Sequence, residues 1–273
     1  MILRVIFILG LLLANLVGNA QVLLSPRVDY ENSTLLGNDI NQFFDSYNSY
    51  YANSTTTFFE PISPGDFSHT NYGGAIRLNL GDPLAIFSGF SFTYGKGMAT
   101  RQAIHANGLK AQTDFNIFDY VGQYDLGLRY KIFVASAHMS GRYRKTRMNF
   151  GYFYQDGTYS IGNEYDILGV YEASTITLDY GFTVGIKWER FYFPVSWSYA
   201  SNAFSDDGLL TLVDFEKRQI RWQDLPRDYG QWVADPAGLD PNSQLVRANS
   251  FRSNRINIGV EISLFKDSTD DNK

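Results

Sequence analysis

Near its C-terminal end the chain reads RINIGVEISLF, Arg255 to Phe265. Ile256, Ile258, Val260, Ile262 and Leu264 alternate there with Arg255, Asn257, Gly259, Glu261 and Ser263. Alternation of period two sends the two sets to opposite faces of a β-strand. A half-buried strand of a soluble sheet reads this way, and so does a strand whose apolar face meets lipid. The choice rests on the other strands, on what their polar faces carry and on how they are joined.

Six further stretches alternate. Gly74–Gly81 sets Ile76, Leu78 and Leu80 against Arg77 and Asn79. Ala85–Gly95 sets Ile86, Phe90, Phe92 and Tyr94 against Gly89, Ser91, Thr93 and Gly95, with Phe87 and Ser88 breaking the pattern. Tyr124–Val134 sets Tyr124, Leu126, Leu128, Tyr130, Ile132 and Val134 against Asp125, Gly127, Arg129, Lys131 and Phe133. In Ser136–Thr146, Ala137, Met139, Gly141 and Tyr143 oppose Ser136, His138, Ser140, Arg142 and Arg144. Ile176–Trp188 and Phe191–Ala200 complete the set, the first with Asp179 and Lys187 on its polar face. Most approach the roughly 9–11 residues a tilted strand needs to cross a bilayer.

The polar faces carry full charges in mid-strand: Arg77, Asp125, Arg129, Lys131, Arg142, Arg144, Asp179, Lys187 and Glu261. They also carry Gly89, Gly95, Gly127, Gly181, Gly185 and Gly259. Glycine weakens a solvent-facing strand, whereas a crowded barrel interior needs small residues beside large ones. Link lengths sort by end. Gly81-Asp82-Pro83, the stretch Phe133–Ser136 and Glu189-Arg190 are tight, and the links Lys96–Asp119, Tyr154–Thr175 and Ser201–Ser253 are long. Short turns on one side and long loops on the other are the habit of outer-membrane barrels.

The N-terminus agrees with export. MILRVIFILGLLLANLVGNA has a cation at Arg4, a short apolar run and small residues up to Ala20, which reads as a signal peptide over residues 1–20. The chain has no cysteine, which excludes disulfides and thiolate metal sites. The net charge of −5 and the lack of a basic block exclude nucleic acid as a partner. The mean hydropathy of −0.22 is that of a soluble protein, and strands that are half polar produce such a value too.

The expected fold is all-β: an antiparallel up-and-down transmembrane barrel over residues 70–265, with short periplasmic turns and long extracellular loops. Seven strands leave an odd count, so an eighth is sought in Val22–Tyr30 or Tyr50–Phe59. Ten follow if Gly208–Trp222 enters the sheet. Within the N-terminal segment 21–69, Leu36, Ile40, Phe43, Phe44, Tyr47 and Tyr51 stand at helical spacing and suit a plug or cap, or else an ordered external loop. Residues 266–273 read as a polar tail.

Asn257, Gly259, Ile262, Leu264 and Phe265 resemble the C-terminal targeting signal of bacterial outer-membrane proteins, with eight residues following where the signal normally ends the chain. The leader ending in Asn19-Ala20-Gln21 and the Tyr/Phe/Asn-rich loops resemble Bacteroidota outer-membrane proteins. The resemblance implies the outer membrane of a Gram-negative bacterium, contact with its lipid and insertion by the barrel-assembly machinery.

Three functional readings arise. His138 and Ser140 share a strand face, a spacing that resembles the His-x-Ser of lipid A deacylase barrels, but no acid lies nearby in sequence, and a hydrogen-bonded interior His is the plainer reading. The charges of the polar faces could line a narrow solute channel, although an eight-stranded interior is just wide enough for side chains to fill. The long link 201–253 carries Phe204, Phe215, Trp222, Tyr229, Trp232 and Phe251, the residue types that anchor interfaces. It suggests a structural or partner-binding role toward other outer-membrane proteins or surface lipoproteins. No cofactor and no metal is expected.

Overall fold

A computed structural model of the chain describes residues 20–35, 40–41, 44–45, 48, 58–63, 65–80, 84–105, 108–154, 156, 159–160, 169–203, 211–212 and 253–264. The β-segments are β1 (Ala20–Leu35), β2 (Phe58–Glu60), β3 (Asp66–Leu80), β4 (Leu84–His105), β5 (Lys110–Tyr130), β6 (Phe133–Phe153), β7 (Tyr159–Ser160), β8 (Gly169–Trp188), β9 (Phe191–Ala203), β10 (Thr211–Leu212) and β11 (Ser253–Ile262). Eight of them, β1, β3, β4, β5, β6, β8, β9 and β11, pair antiparallel in that order, and β11 pairs back onto β1. The hydrogen bonds therefore close into a ring, which leaves no open edge along the shared ladders.

The eighth strand is the stretch around Val22–Tyr30. Leu23 and Pro26 obscure its alternation, yet Leu23, Ser25, Arg27, Asp29, Glu31 and Ser33 are all buried and the residues between them exposed. Pro26 has no N–H to donate, and it lies just where pairing with β11 begins, at Arg27. The ring thus takes in residues 20–35 and 66–80, beyond the expected limit at residue 70. Of Tyr50–Phe59, Phe58 and Phe59 belong to β2, which pairs with the upper part of β4 outside the ring. Within Gly208–Trp222, Thr211 and Leu212 form a two-residue ladder on β8 and no ninth ring strand.

Among the described residues, two tight turns fall at one end, the lower end. Lys131-Ile132 joins β5 to β6 and Glu189-Arg190 joins β8 to β9, each opening with a non-glycine residue at positive φ (54° at Lys131, 51° at Glu189). Lys187 N–H donates to Ile132 O and Ser263 N–H to Arg190 O, both at 2.7 Å, so neighbouring strands hold the turns. The first turn corrects the expected strand Tyr124–Val134. It resets the alternation, so Phe133 is 60% exposed and Val134 is buried. Phe87, read as a break in its strand, is a regular inward residue that packs with Val134 and Tyr192.

The expected long link Lys96–Asp119 is mostly strand. β4 runs on to His105, β5 starts at Lys110, and a turn with Gly108 at φ 77° closes the hairpin. The other long links shorten at their ends in the same way. β5 and β6 have 21 residues each, about 70 Å of strand, twice what a bilayer crossing needs.

This length divides the ring strands into two zones. In the lower zone the outward face is apolar. It covers Val22–Tyr30 of β1, Tyr72–Leu80 of β3, Leu84–Tyr94 of β4, Tyr120–Tyr130 of β5, Phe133–Tyr143 of β6, Ile176–Trp188 of β8, Phe191–Tyr199 of β9 and Ile256–Leu264 at β11. Among the described residues, no outward side chain in these stretches is charged. Tyr94, Tyr120 and Tyr143 stand side by side at its upper margin, ring centroids 5.0 and 6.1 Å apart. In the upper zone the outward face turns polar, with Thr100 bonded to Asp114, Gln102 to Gln112 and Lys145 to Glu172.

The inward face changes in the opposite sense. Below it is polar and charged; above it is apolar, with Phe67, Ala103, Ala111, Phe115, Ile117, Met148, Phe150 and Tyr171 buried. Ile40, Asn41, Phe44, Asp45 and Asn48 have helical backbone; Leu36, Phe43, Tyr47 and Tyr51 of the expected helical spacing lie outside the described residues. Ile40 and Phe44 are fully buried, and Phe44 meets Phe115 edge-on at 6.2 Å. Asn48 clasps Ile62 by its main chain, donating to the carbonyl at 2.7 Å and accepting from the N–H at 3.0 Å. Phe44 thus packs against the apolar upper interior.

Candidate functional site

The buried ionic groups of the described chain all lie on the inward face of the ring. They are Arg27, Arg77, Arg129, Arg142, Arg144 and Arg255 against Asp29, Glu31, Asp119, Asp125, Asp179 and Glu261. Six guanidinium groups face six carboxylates, so the interior is neutral. None of the cations is Lys, which fits a packed interior: a guanidinium fork binds two carboxylates in fixed geometry and is easier to desolvate than an ammonium.

The groups form two tiers. In the lower one, Arg77 of β3 bridges Asp125 of β5 (2.7 Å) and Glu261 of β11 (Nε to Oε2, 3.1 Å). Arg27 of β1 donates to Asp29 (2.6 Å), Glu261 (3.2 Å) and Ser91 (3.1 Å). Below it lies the apolar cluster of Phe87, Val134 and Tyr192, with the Arg77 guanidinium 5.2 Å from the Phe87 ring centroid. In the upper tier Glu31 accepts from Arg142 Nη2 and from Asn71. Asp119 accepts from Arg144 Nε (2.8 Å) and Nη2 (2.7 Å), and Arg142 Nη1 lies 3.1 Å away. Arg255 donates to Asp179 and, at 2.9 Å, to Ser140.

The glycines of the polar faces make room for these side chains. A Cβ at Gly89 would overlap the Arg77 side chain, one at Gly259 the Asp29 carboxylate, and one at Gly181 both His138 and the Trp197 carbonyl. The glycine signal in the sequence therefore marks close approach of side chains inside the ring.

His138 and Ser140 do share the inward face, but they do not bond to each other. His138 Nε2 is 2.9 Å from Ser198 Oγ and Nδ1 is 3.0 Å from Thr183 Oγ1, which in turn reaches Asp125 at 3.5 Å. Ser140 Oγ accepts from Arg255, and His138, Ser140 and Ser198 are all buried. Ser140 Oγ is thus held by a guanidinium, and the serine within hydrogen-bond distance of His138 is Ser198.

Of the nine charges expected inside, Arg77, Asp125, Arg129, Arg142, Arg144, Asp179 and Glu261 are buried there. Lys131 is corrected. It lies in the tight turn, exposed, with Nζ 5.6 Å from the Tyr130 ring centroid. Lys187 sits half-buried at the lower mouth beside Arg190 and Tyr192. Arg27, Asp29, Glu31, His69, Asp119 and Arg255 join the network without having been singled out as its members. In the sequence Val22–Tyr30 is one of two candidates for the eighth strand, and Asp119 falls at the end of the link Lys96–Asp119. The signal for them was inward parity, continued past the point where the outward face stops being apolar.

Glu31, His69 and Asp119 each bring one ligand atom within 4.8 Å of the others, a grouping that sequence spacing did not reveal. The same carboxylate oxygens already bind Arg142 and Arg144, and a dication would add charge to a neutral interior. The arrangement is that of an ion-pair network. Of the other named residues, Asn257 and Gly259 face inward and Ile262 and Leu264 outward. Phe265, the leader up to residue 19, the tail 266–273 and the loop aromatics Phe204, Phe215, Trp222, Tyr229, Trp232 and Phe251 lie outside the described residues.

Comparison with protein-family models finds no match, nor does comparison with curated proteins or with solved structures.

Proposed function

We propose that the protein is an eight-stranded β-barrel of a bacterial outer membrane, with a closed, ion-paired interior, acting as a structural or partner-binding subunit through its long upper segments. The observation that carries the membrane reading is the outward apolar zone. It runs round all eight ring strands, is about 9–13 residues deep, and has no outward charge among the described residues. A water-soluble ring would have to hold this surface against water, far more apolar area than monomers leave exposed. Aromatic side chains at both margins support it: Tyr30, Tyr72, Tyr94, Tyr120, Tyr143 and Tyr199 above, Tyr130, Phe133, Trp188, Phe191 and Phe193 below.

The neutral, interlocked charge network favours a stabilising plug over a solute path. The buried, otherwise bonded His138 and Ser140 favour a structural role over hydrolysis of lipid. Contact with other outer-membrane proteins or surface lipoproteins follows from the length and aromatic content of the link 201–253.

The test has two arms. Full-length protein expressed in a Gram-negative host should stay with the outer membrane after carbonate extraction, and its folded form should migrate apart from its heated form on SDS gels. Release into the soluble fraction would end the membrane reading. Purified protein in a planar bilayer should give no discrete conductance steps. Steady open steps would replace the plug with a channel.

A further inference from the structure

We infer that the outward face just above the tyrosine row, from β4 to β8, is a binding site for phosphate groups of membrane lipids. This inference rests on the membrane reading.

Cross-strand register builds the site. Tyr94 pairs with Tyr120 and Tyr120 with Tyr143. Two residues higher on the same face, Lys96 pairs with Phe118 and Phe118 with Lys145. The next outward step brings Arg147 opposite Glu172. Two ammonium groups thus flank one aromatic ring, with a guanidinium on the next level. Lys96 Nζ stands 5.4 Å from the Phe118 centroid. Lys145 and Arg147 lie 2.8 and 3.9 Å from Glu172, with side chains 43% and 48% exposed. Two of the three cations share the Glu172 carboxylate, so these two levels of the rim carry three cations to one acid.

The rest of the rim differs. One step above the apolar zone, the other ring strands present Asn32, Thr70, Ser201 and Asn254, all neutral. The cations therefore collect on one sector at the height where lipid headgroups begin, directly above a continuous apolar surface. A free anion would use only the charges. A lipid phosphate uses both, since its acyl chains lie along Phe90, Phe92, Tyr124 and Tyr180 while its headgroup meets Lys96, Lys145 and Arg147. Ammonium and guanidinium groups are the ordinary partners of phosphate oxygens, and their attraction persists over about 8–10 Å at moderate ionic strength.

Native mass spectrometry of the detergent-purified full chain tests this, using phosphatidic acid and phosphatidylcholine with the same acyl chains. The wild-type protein should retain phosphatidic acid in preference. The triple variant K96Q/K145Q/R147Q should retain it at least about fivefold less, the scale of one surface cation. E172Q should retain more, and K131Q, at the opposite rim, should match the wild type. Unchanged retention in the triple variant, an equal loss in K131Q, or displacement by equimolar inorganic phosphate would overturn the site. Flotation with phosphatidylcholine liposomes separates the two readings. A wild-type protein that fails to float contradicts membrane insertion itself, whereas one that floats without preferring phosphatidic acid contradicts the lipid-phosphate site alone.

Discussion

The lower and upper zones of the ring are built from the same strands and obey opposite rules. On β5, Tyr120, Tyr124, Leu126 and Leu128 point outward below while Gln123, Asp125 and Arg129 point inward; above, Gln112, Asp114 and Asn116 point outward while Ala111, Phe115 and Ile117 point inward. The backbone alternation is unbroken across the switch. Only the chemistry of the two faces is exchanged, near Asp119 and Tyr120. The upper zone has a polar outward face and an apolar interior, where Phe44 packs against Phe115. The lower zone is its inverse, and its apolar outward face is the surface on which the proposed membrane reading rests. On the proposed membrane reading, the change in solvent is written along β4, β5, β6 and β8 as a change in which parity is apolar.

The largest expected effect breaks the polar side of the comparison. Arg144→Leu removes both hydrogen bonds that Arg144 gives buried Asp119, leaving it Arg142 and His69, and should cost about 3–5 kcal/mol, the loss for one member of a buried pair. Arg147→Leu, three residues on and half-exposed, should cost less than about 1 kcal/mol. Urea midpoints followed by loss of the fast-migrating folded band would measure both. Equal effects would mean that the interior is not sequestered. Phe115→Ala opens the apolar upper core and should cost about 3–5 kcal/mol. Proteolysis should then reach the upper zone while the lower zone stays protected; loss of both together would join the zones into one unit.

Smaller effects sharpen the contrast between the outward faces. Phe182→Arg, in the middle of the apolar zone and 53% exposed, should cost about 2–4 kcal/mol in lipid. Thr34→Arg, outward on β1 and opposite Asp66, should stay within about 0.5 kcal/mol. A well-tolerated Phe182→Arg would place that face in water. The mildest test is Gly181→Ala, whose methyl group meets His138 and the Trp197 carbonyl. It should cost about 1–3 kcal/mol by overpacking, against no measurable cost for Gly141→Ala, where the space is open.

Much of the lower zone was legible because two faces of opposite chemistry make period two visible. Ile176–Trp188 and Arg255–Leu264 could be read residue by residue. The upper zone was less so, because Thr113 interrupts its apolar face and Phe118 its polar face. Lys96–Asp119 therefore read as a loop. β1 was missed as a firm strand for a different reason: Pro26 and Leu23 interrupt its pattern, although the ring itself fixes their parity. The site was legible to the extent its strands were. Arg77, Arg142 and Glu261 could be named, but the pairings of Arg142 with Glu31 and of Glu261 with Arg27 depend on closure of the ring between β11 and β1, which no single strand records.

The most direct test uses the absence of cysteine from the chain. Single cysteines placed at the outward positions of β5, from Gln112 to Tyr130, can each carry a spin label in liposome-reconstituted protein. Collision with oxygen reports lipid, and collision with a water-soluble nickel complex reports water. Oxygen access should peak between Gly122 and Leu128, and nickel access should rise from Phe118 to Gln112, crossing near Tyr120. Nickel access that stays high along the whole strand would contradict the lipid-facing lower zone.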